Sequence, residues 1–354
     1  MSLSGRVHVG PKQAVMAGPN RSVTISEVAE ASGVGVGTVS RVINGAANVS
    51  NATRQRVLTV IEELGYRPSR LATGLALGAT RSVAVLVPYL TRPSVVARLA
   101  GVLSSLEAEG FDSIVCNVEH PDQVDRLVHS FAGPHRVDGI LLLSLKLGTA
   151  NQLLIRDAGL PLAAVDVDLP SVPRVVIDDV DGGRLATAHL MEMGHRRIAF
   201  IGDSPNHEMN FTSSARRLKG YRAAHLASGA EPDPSLVRLG EHGSLTAEAM
   251  TLDLLASHDP PTAIFAASDT QALGVMRAAE KFGLDIPRQL SVVGFDDIEI
   301  AELVGLTTIR QPLFRSGVLG GQLISTLVRK DGEPVRRMTL PLELVHRSST
   351  ARPG

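Results

Sequence analysis

A small all-α unit followed by two doubly wound parallel α/β lobes is the fold class this sequence predicts, and three observations predict it. Between Val23 and Leu64 apolar residues recur every three or four positions, the spacing of helices that bury one face. From Ser82 onward short apolar runs alternate with helical stretches in a repeated βα order. That alternation comes in two series, so two sheets with a cleft between them are expected. The 354 residues, 44% hydrophobic, suffice for two or three domains.

The first helices lie in VTISEVAEASGVGVGTVSRVING, residues 23–45. Ile25, Val28 and Ala29 share one helical face, and Ser32-Gly33 followed by Val34 marks a tight turn. The next run, Val36 to Ile43, keeps Val39, Val42 and Ile43 together and presents Thr38, Ser40, Arg41 and Asn44 on its other face. Those polar groups suit phosphates and base edges, so this is a helix-turn-helix whose second helix enters a DNA groove. Asn51 to Leu64 reads as a third helix through Val57, Val60, Ile61 and Leu64, ended by Gly65.

Charge adds modest support. The net charge is −1, so no global basic field marks a nucleic-acid partner. Between Arg21 and Arg81, seven Arg and no Lys stand against four Glu, a local balance of +3 that ordinary surface scatter also produces. Cys116 is the only cysteine, which excludes a disulfide framework and a cysteine-based zinc site and suits a reducing cytoplasm. No run resembles a signal peptide or reaches the roughly 18 apolar residues of a membrane span. Residues 1–20, mixed and Gly/Pro-punctuated, read as a disordered arm.

The wording of the helical unit resembles the LacI family of transcriptional regulators. Thr-Val-Ser-Arg-Val at 38–42, Asn44-Gly45, Val49-Ser50, Thr53-Arg54 and Glu-Leu-Gly-Tyr-Arg-Pro at 63–68 follow the family pattern in order and spacing. The resemblance implies a helix-turn-helix DNA-binding domain over 21–68, with contacts from Thr24, Val36, Gly37, Thr38, Ser40, Arg41, Asn44, Ser50 and Thr53. Gly37 has no side chain to read a base, Val36 offers only apolar contact, and Gly35 stands where Ser or Thr often caps the recognition helix. Arg41 and phosphate contacts are therefore expected to carry more of the recognition than the helix tip. Residues 69–82 contain Gly74 and Gly78 and read by themselves as a flexible linker. By resemblance they are a hinge in which Leu75 wedges into the minor groove at the operator centre.

Buried-strand candidates are 83–88, 113–118, 139–145, 162–167 and 175–178, then 198–203, 263–268 and 291–296. Helices near 94–109, 122–133, 149–158, 181–193, 214–228, 244–257 and 270–282 separate them. Gly-His-Arg-Arg-Ile-Ala at 194–199, Arg-Leu-Lys-Gly-Tyr at 217–221, Ser-Val-Val-Gly-Phe-Asp-Asp at 291–297 and Thr-Ile-Arg-Gln-Pro at 308–312 extend the resemblance to about Thr350. It implies a two-lobed, periplasmic-binding-protein-like effector-binding and dimerisation domain over 83–350. Lobe one is expected at about 83–180 and 309–332, lobe two at about 181–308 and 333–350.

Ligands of open α/β sheets bind beyond the carboxyl ends of the strands. By family match Asp166, Arg217 and Asp296 are the strongest effector contacts there, an Arg fork and carboxylates suited to hydroxyl-rich molecules. Ser94, Val95, His242 and Asp269 complete the expected set. Blander readings stay open: Asp296 as a helix cap, Arg217 as a surface helix charge, His242 as an ordinary surface residue. Ser94 and Val95 stand where relatives place aromatics, and Ser268 replaces the usual Asn, so few aromatic walls are expected and the effector is undefined.

Enzyme chemistry finds no footing: there is no GxSxG elbow, P-loop, HExxH or dinucleotide fingerprint. Gly33, Gly35 and Gly37 precede no βα unit, and His195 beside Arg196 and Arg197 reads as scaffold. No cofactor or metal is expected. The expected function is a homodimeric repressor that binds palindromic double-stranded operator DNA and answers to a small molecule, sugar or sugar-like, with no membrane partner. The alternative, a solute-binding module of transport or sensing, fits the two lobes but not the helix-turn-helix.

Overall fold

The structure is a computed structural model and describes residues 23–43, 46, 48–66, 79–134, 136–206, 208–209 and 211–354. Asn44, Leu75, the arm at 1–20 and most of the hinge lie outside the described residues. The chain divides into two compact units, residues 1–77 and 78–354.

The first unit contains α1 (Ile25–Ser32), α2 (Val36–Ile43) and α3 (Asn51–Glu63). Thr24 starts α1 through a reciprocal box: its hydroxyl accepts the Glu27 N–H, while the Glu27 carboxylate accepts the Thr24 N–H. Gly33, at φ 66°, ends the helix in the left-handed region that only glycine enters cheaply. Val28, Ala29, Val39, Val42 and Val57 form the shared core. Ser50 caps α3 by accepting the Thr53 N–H. The three predicted helices are therefore present.

The second unit runs β1 (Ser82–Pro88), α4 (Pro93–Ala108), β2 (Asp112–Val118), α5 (Pro121–Phe131), β3 (Gly139–Leu143), α6 (Thr149–Asp157), β4 (Leu162–Val165) and β5 (Arg174–Ile177). It continues with α7 (Asp179–Glu192), β6 (Ile198–Asp203), α8 (Ser213–Ala227), β7 (Val237–Gly240), α9 (Ser244–Leu255), β8 (Ala263–Ala266), α10 (Asp269–Phe282) and β9 (Ser291–Asp296). The last elements are α11 (Glu299–Leu303), β10 (Thr307–Arg310), α12 (Leu313–Arg329), β11 (Arg337–Leu340) and β12 (Glu343–Val345). Two six-stranded sheets result, ordered β11-β5-β4-β3-β1-β2 and β12-β10-β9-β8-β6-β7. Every strand pair is parallel except β10 with β12.

Central strands such as β1 and β3 are buried along nearly their whole length, as sheets covered on both faces require. Helix pairs α4 with α12, α7 with α8, and α9 with α10 pack across the sheets. Glycines let two of these pairs approach closely. A Cβ on Gly317 of α12 would strike the Arg98 carbonyl of α4, and one on Gly183 of α7 would strike the Arg217 carbonyl of α8.

The lobe boundaries need correction near the C-terminus. β10 pairs with β9, so the second lobe continues through Arg310 and not only to residue 308. Arg337–Leu340 pairs in parallel with Arg174–Ile177, so this stretch belongs to the first sheet, and the chain returns to the second lobe only after Leu340. Two strands of four and three residues flank Pro341-Leu342, too short for periodicity to separate. Among the described residues, no helix is long and apolar enough to cross a membrane.

Candidate functional site

In the first unit, α2 presents Val36, Gly37 and Arg41 outward, with Val36 44% exposed. A side chain on Gly37 or Gly35 would meet open space, so the bare tip reflects sequence and not crowding. Arg41 turns back to donate from Nε to the Gly37 carbonyl at 3.1 Å. Thr38 and Ser40 are half-buried beside it. Thr24, Ser50 and Thr53 occupy helix starts, and Ser50 donates to the Thr53 hydroxyl at 2.9 Å. Helix starts carry unpaired N–H groups, which suits all three to phosphate contact.

In the second unit a cleft of about 570 Å³, counted to its open mouth, lies beyond the carboxyl ends of both sheets. Ser94, Val95, Asp166, Arg217, His242 and Asp296 all line it. Asp166 follows β4 at φ 63°, and Asp296 closes β9 at φ 120°, conformations that non-glycine residues hold only when surroundings enforce them.

The enforcing groups form a polar chain from lobe to lobe. Asp166 accepts the Ser144 hydroxyl at 2.6 Å and pairs with Arg98 at 3.1 Å. Arg98 donates from Nη2 to the Gln311 amide oxygen at 2.9 Å, and Gln311 donates from Nε2 to Asp296 at 2.5 Å. Asp296 lies 3.6 Å from Arg217, whose Nε donates to Asp179 at 3.0 Å and whose Nη1 donates to the Ala267 carbonyl at 2.6 Å. The Arg217 guanidinium also stacks 3.5 Å from the Phe295 ring centre. Gln311 sits where the chain passes from β10 to α12, one of the interlobe connections.

Burial and charge compete at these groups. Burial pushes the Asp179 carboxyl up to about 6 despite Arg217, and it raises Asp296 against the same guanidinium. Burial alone lowers Arg217, but Asp179, Asp296 and Asp166 together outweigh it and hold the charge more firmly. Burial likewise works to raise Asp203, yet the His242 hydrogen bond, His242 itself, Arg92 and Arg217 bring it below the usual carboxylate range.

The blander sequence readings lose ground here. Asp296 caps nothing, since Ile298 holds the cap position of α11, and Arg217 is buried. His242 is mostly buried, with Nδ1 3.0 Å from Asp203. Asp269 is the correction: it does not line the cleft. It is fully buried, one oxygen accepting the Thr308 hydroxyl at 2.6 Å and the other the Ile298 N–H at 2.9 Å. The Ile298 bond braces the turn just after Asp296 and the Thr308 bond anchors Asp269 to the neighbouring strand β10, so Asp269 positions Asp296.

Sequence reasoning missed Arg98, Ser144, Asp203 and Gln311. Arg98 is the one charged residue on a helix face otherwise made of apolar and small residues, a signal that could have singled it out. Phe211, from the segment before α8, is the one Phe, Tyr or Trp among the described residues lining the cleft, in keeping with the expectation of few aromatic walls. His195 behaves as scaffold, bonded to Thr262, Ser291 and the Ala351 carbonyl. No group of three or more potential metal-ligating side chains gathers among the described residues.

Comparison with known proteins agrees with both halves. The family model for bacterial regulatory proteins of the lacI family matches residues 24–69, and that for a periplasmic binding protein-like domain matches 187–350. The HTH-type transcriptional regulator CelR of Thermobifida fusca is 36% identical over 93% of this chain and 98% of its own length. Catabolite control protein A of Priestia megaterium is 31% identical over 93% of this chain and 99% of its own. The lac repressor dimer bound to operator and the anti-inducer ONPF superposes with a TM-score of 0.83 at 28% identity, covering 94% of this chain and 100% of that one. The CelR–cellobiose complex gives a TM-score of 0.69 at 35% identity, covering 92% and 99%. With a helix-turn-helix unit, a two-lobed binding unit and relatives of matching length, the chain belongs to the lacI family of bacterial DNA-binding transcriptional regulators.

Proposed function

We propose that this regulator is a homodimeric repressor of a palindromic operator, controlled by a sugar or sugar-like molecule bound in the interlobe cleft. The observation that carries the reading is the cleft itself, where Asp166, Arg217, Asp296 and His242 converge from two lobes joined by Gln311. Carboxylates accept from hydroxyls and guanidinium donates to ring oxygens, the pairing a hydroxyl-rich ligand needs. Two similar structures add support, one a CelR complex with cellobiose and one a lac repressor dimer on operator DNA.

A dimer is favoured because one helix-turn-helix makes few base contacts, and two-fold symmetry doubles them. The edge strand β2 exposes Ile114 (39%) and Val115 (37%), and the adjoining α4 exposes Val96 (48%), apolar side chains at the edge of the first sheet that a second copy could cover. The DNA contacts are Thr24, Val36, Gly37, Thr38, Ser40, Arg41, Asn44, Ser50 and Thr53, with Leu75 as the minor-groove wedge. Ligand binding would bias the relative placement of the lobes, and the difference in ligand affinity between the two arrangements sets the size of the switch. The setting proposed is cytoplasmic, with no catalytic role.

Genomic fragments captured by the full chain test this reading. A palindrome should recur among them, and its affinity should fall steeply as salt rises from 50 to 200 mM, by about 10³-fold or more for six or more phosphate contacts. Absence of binding to any fragment at low salt would sink it.

A further inference from the structure

Three arginines line the cleft, and they differ in what they have left to offer. Arg98 is committed to Ser316, Ser144, Asp166 and Gln311, and Arg217 to Asp179 and the Ala267 carbonyl. Arg92 is different: among the described residues its guanidinium makes no hydrogen bond and no ion pair. It is held by rings alone, 4.5 Å from the Tyr89 centre and 5.0 Å from that of Phe211. Stacking fixes the plane of a guanidinium and leaves its five N–H donors at the edge, where they match carboxylate or phosphate oxygens.

We propose that Arg92 binds an anionic group of the effector, so that the cleft takes a polyhydroxylated molecule bearing a carboxylate or a phosphate. The inference rests on the reading of the cleft as a sugar-like site and specifies its ligand. The surroundings favour it. The nearby carboxylate, Asp203, already shares one oxygen between His242 and Gln271, each at 3.0 Å. Burial outweighs the attraction of Asp203 at Arg92 and lowers its pKa, so the guanidinium charge is under-compensated until an anion arrives. Arg92 also immediately precedes α4, which has no side-chain cap and whose first-turn residues Ser94 and Val95 face the same cleft. The dipole of that sixteen-residue helix adds to the positive potential.

Isothermal titration of the full chain with defined probes decides the matter: glucose and cellobiose as neutral sugars, gluconate and glucuronate as carboxylates, glucose 6-phosphate as the phosphate. At least one anionic probe should bind about tenfold or more tighter than glucose, since charge-assisted pairs are roughly twice as strong as neutral ones. Which anionic arm wins identifies the group. Arg92→Gln should bring that preference to within about threefold, and Arg92→Lys, which keeps the charge without the fork, should retain part of it. Melting curves of both variants guard against misfolding. Neutral sugars binding as tightly as every anionic probe, or an unchanged preference in Arg92→Gln, overturns the proposal while leaving the sugar cleft standing. Failure of all five probes to bind overturns both.

Discussion

Asp269 shows how a residue can serve a site without touching what binds there. One oxygen ties it to Thr308 on β10 and the other holds the Ile298 N–H in the turn that follows Asp296, which faces the cleft in a left-handed conformation. Burial, and then Asp296 nearby, push its carboxyl up to about 8, against roughly 3.9 in an unfolded chain. Between those values the folded state keeps a proton that the unfolded state has lost, so this group's contribution to stability falls as pH rises from about 4 to 8. Asp269→Asn does not titrate. Its urea midpoint relative to the parent chain should therefore climb across that window, and a constant difference would show that Asp269 ionises normally. At this scale the sequence made Asp166, His242 and Asp296 legible because each ends a strand or opens the following segment, whereas Arg217, inside α8, was legible only through the family wording at 217–221. Asp269 was misassigned for the same reason: adjacency to a strand end does not say which way a carboxylate turns.

Among the elements, α7 and α8 link packing to recognition. Gly183 lies against the backbone of Arg217, so the helix crossing that builds the second lobe also sets the height of the guanidinium in the cleft. Gly183→Ala should destabilise the second unit by about 1–3 kcal/mol in denaturant titration, as overpacking does, and weaken ligand binding by displacing Arg217. Native stability with native ligand affinity would show that the backbone yields without moving the site. Helices were readable because periodicity accumulates over eight or more residues, and even four-residue strands such as β4, β5 and β8 because they are almost wholly apolar runs. β10, β11 and β12, of three to four residues each, gave no such signal, and their pairing depends on residues far away in sequence. The contact of Arg98 with Gln311, 213 positions apart, was illegible for the same reason.

For the whole molecule, the central claim is that one small molecule in the cleft changes operator affinity. The polar chain from Asp166 through Arg98, Gln311 and Asp296 to Arg217 joins both lobes, so a ligand replacing any of its bonds acts on their arrangement. Alternation of strand and helix announced two lobes, and the helix-turn-helix wording announced the DNA partner. Neither announced Phe211 stacked on Arg92, because a cleft wall contributed from the opposite lobe has no local pattern. The most direct measurement is operator affinity by fluorescence anisotropy, with and without the tightest-binding sugar probe, for the parent chain and for Asp296→Ala. The ligand should change parent affinity by about 5- to 150-fold, the range of ordinary allosteric coupling, and should leave the variant's affinity unchanged while the variant still binds operator. An equal ligand response in both proteins would place the effector elsewhere and contradict the account.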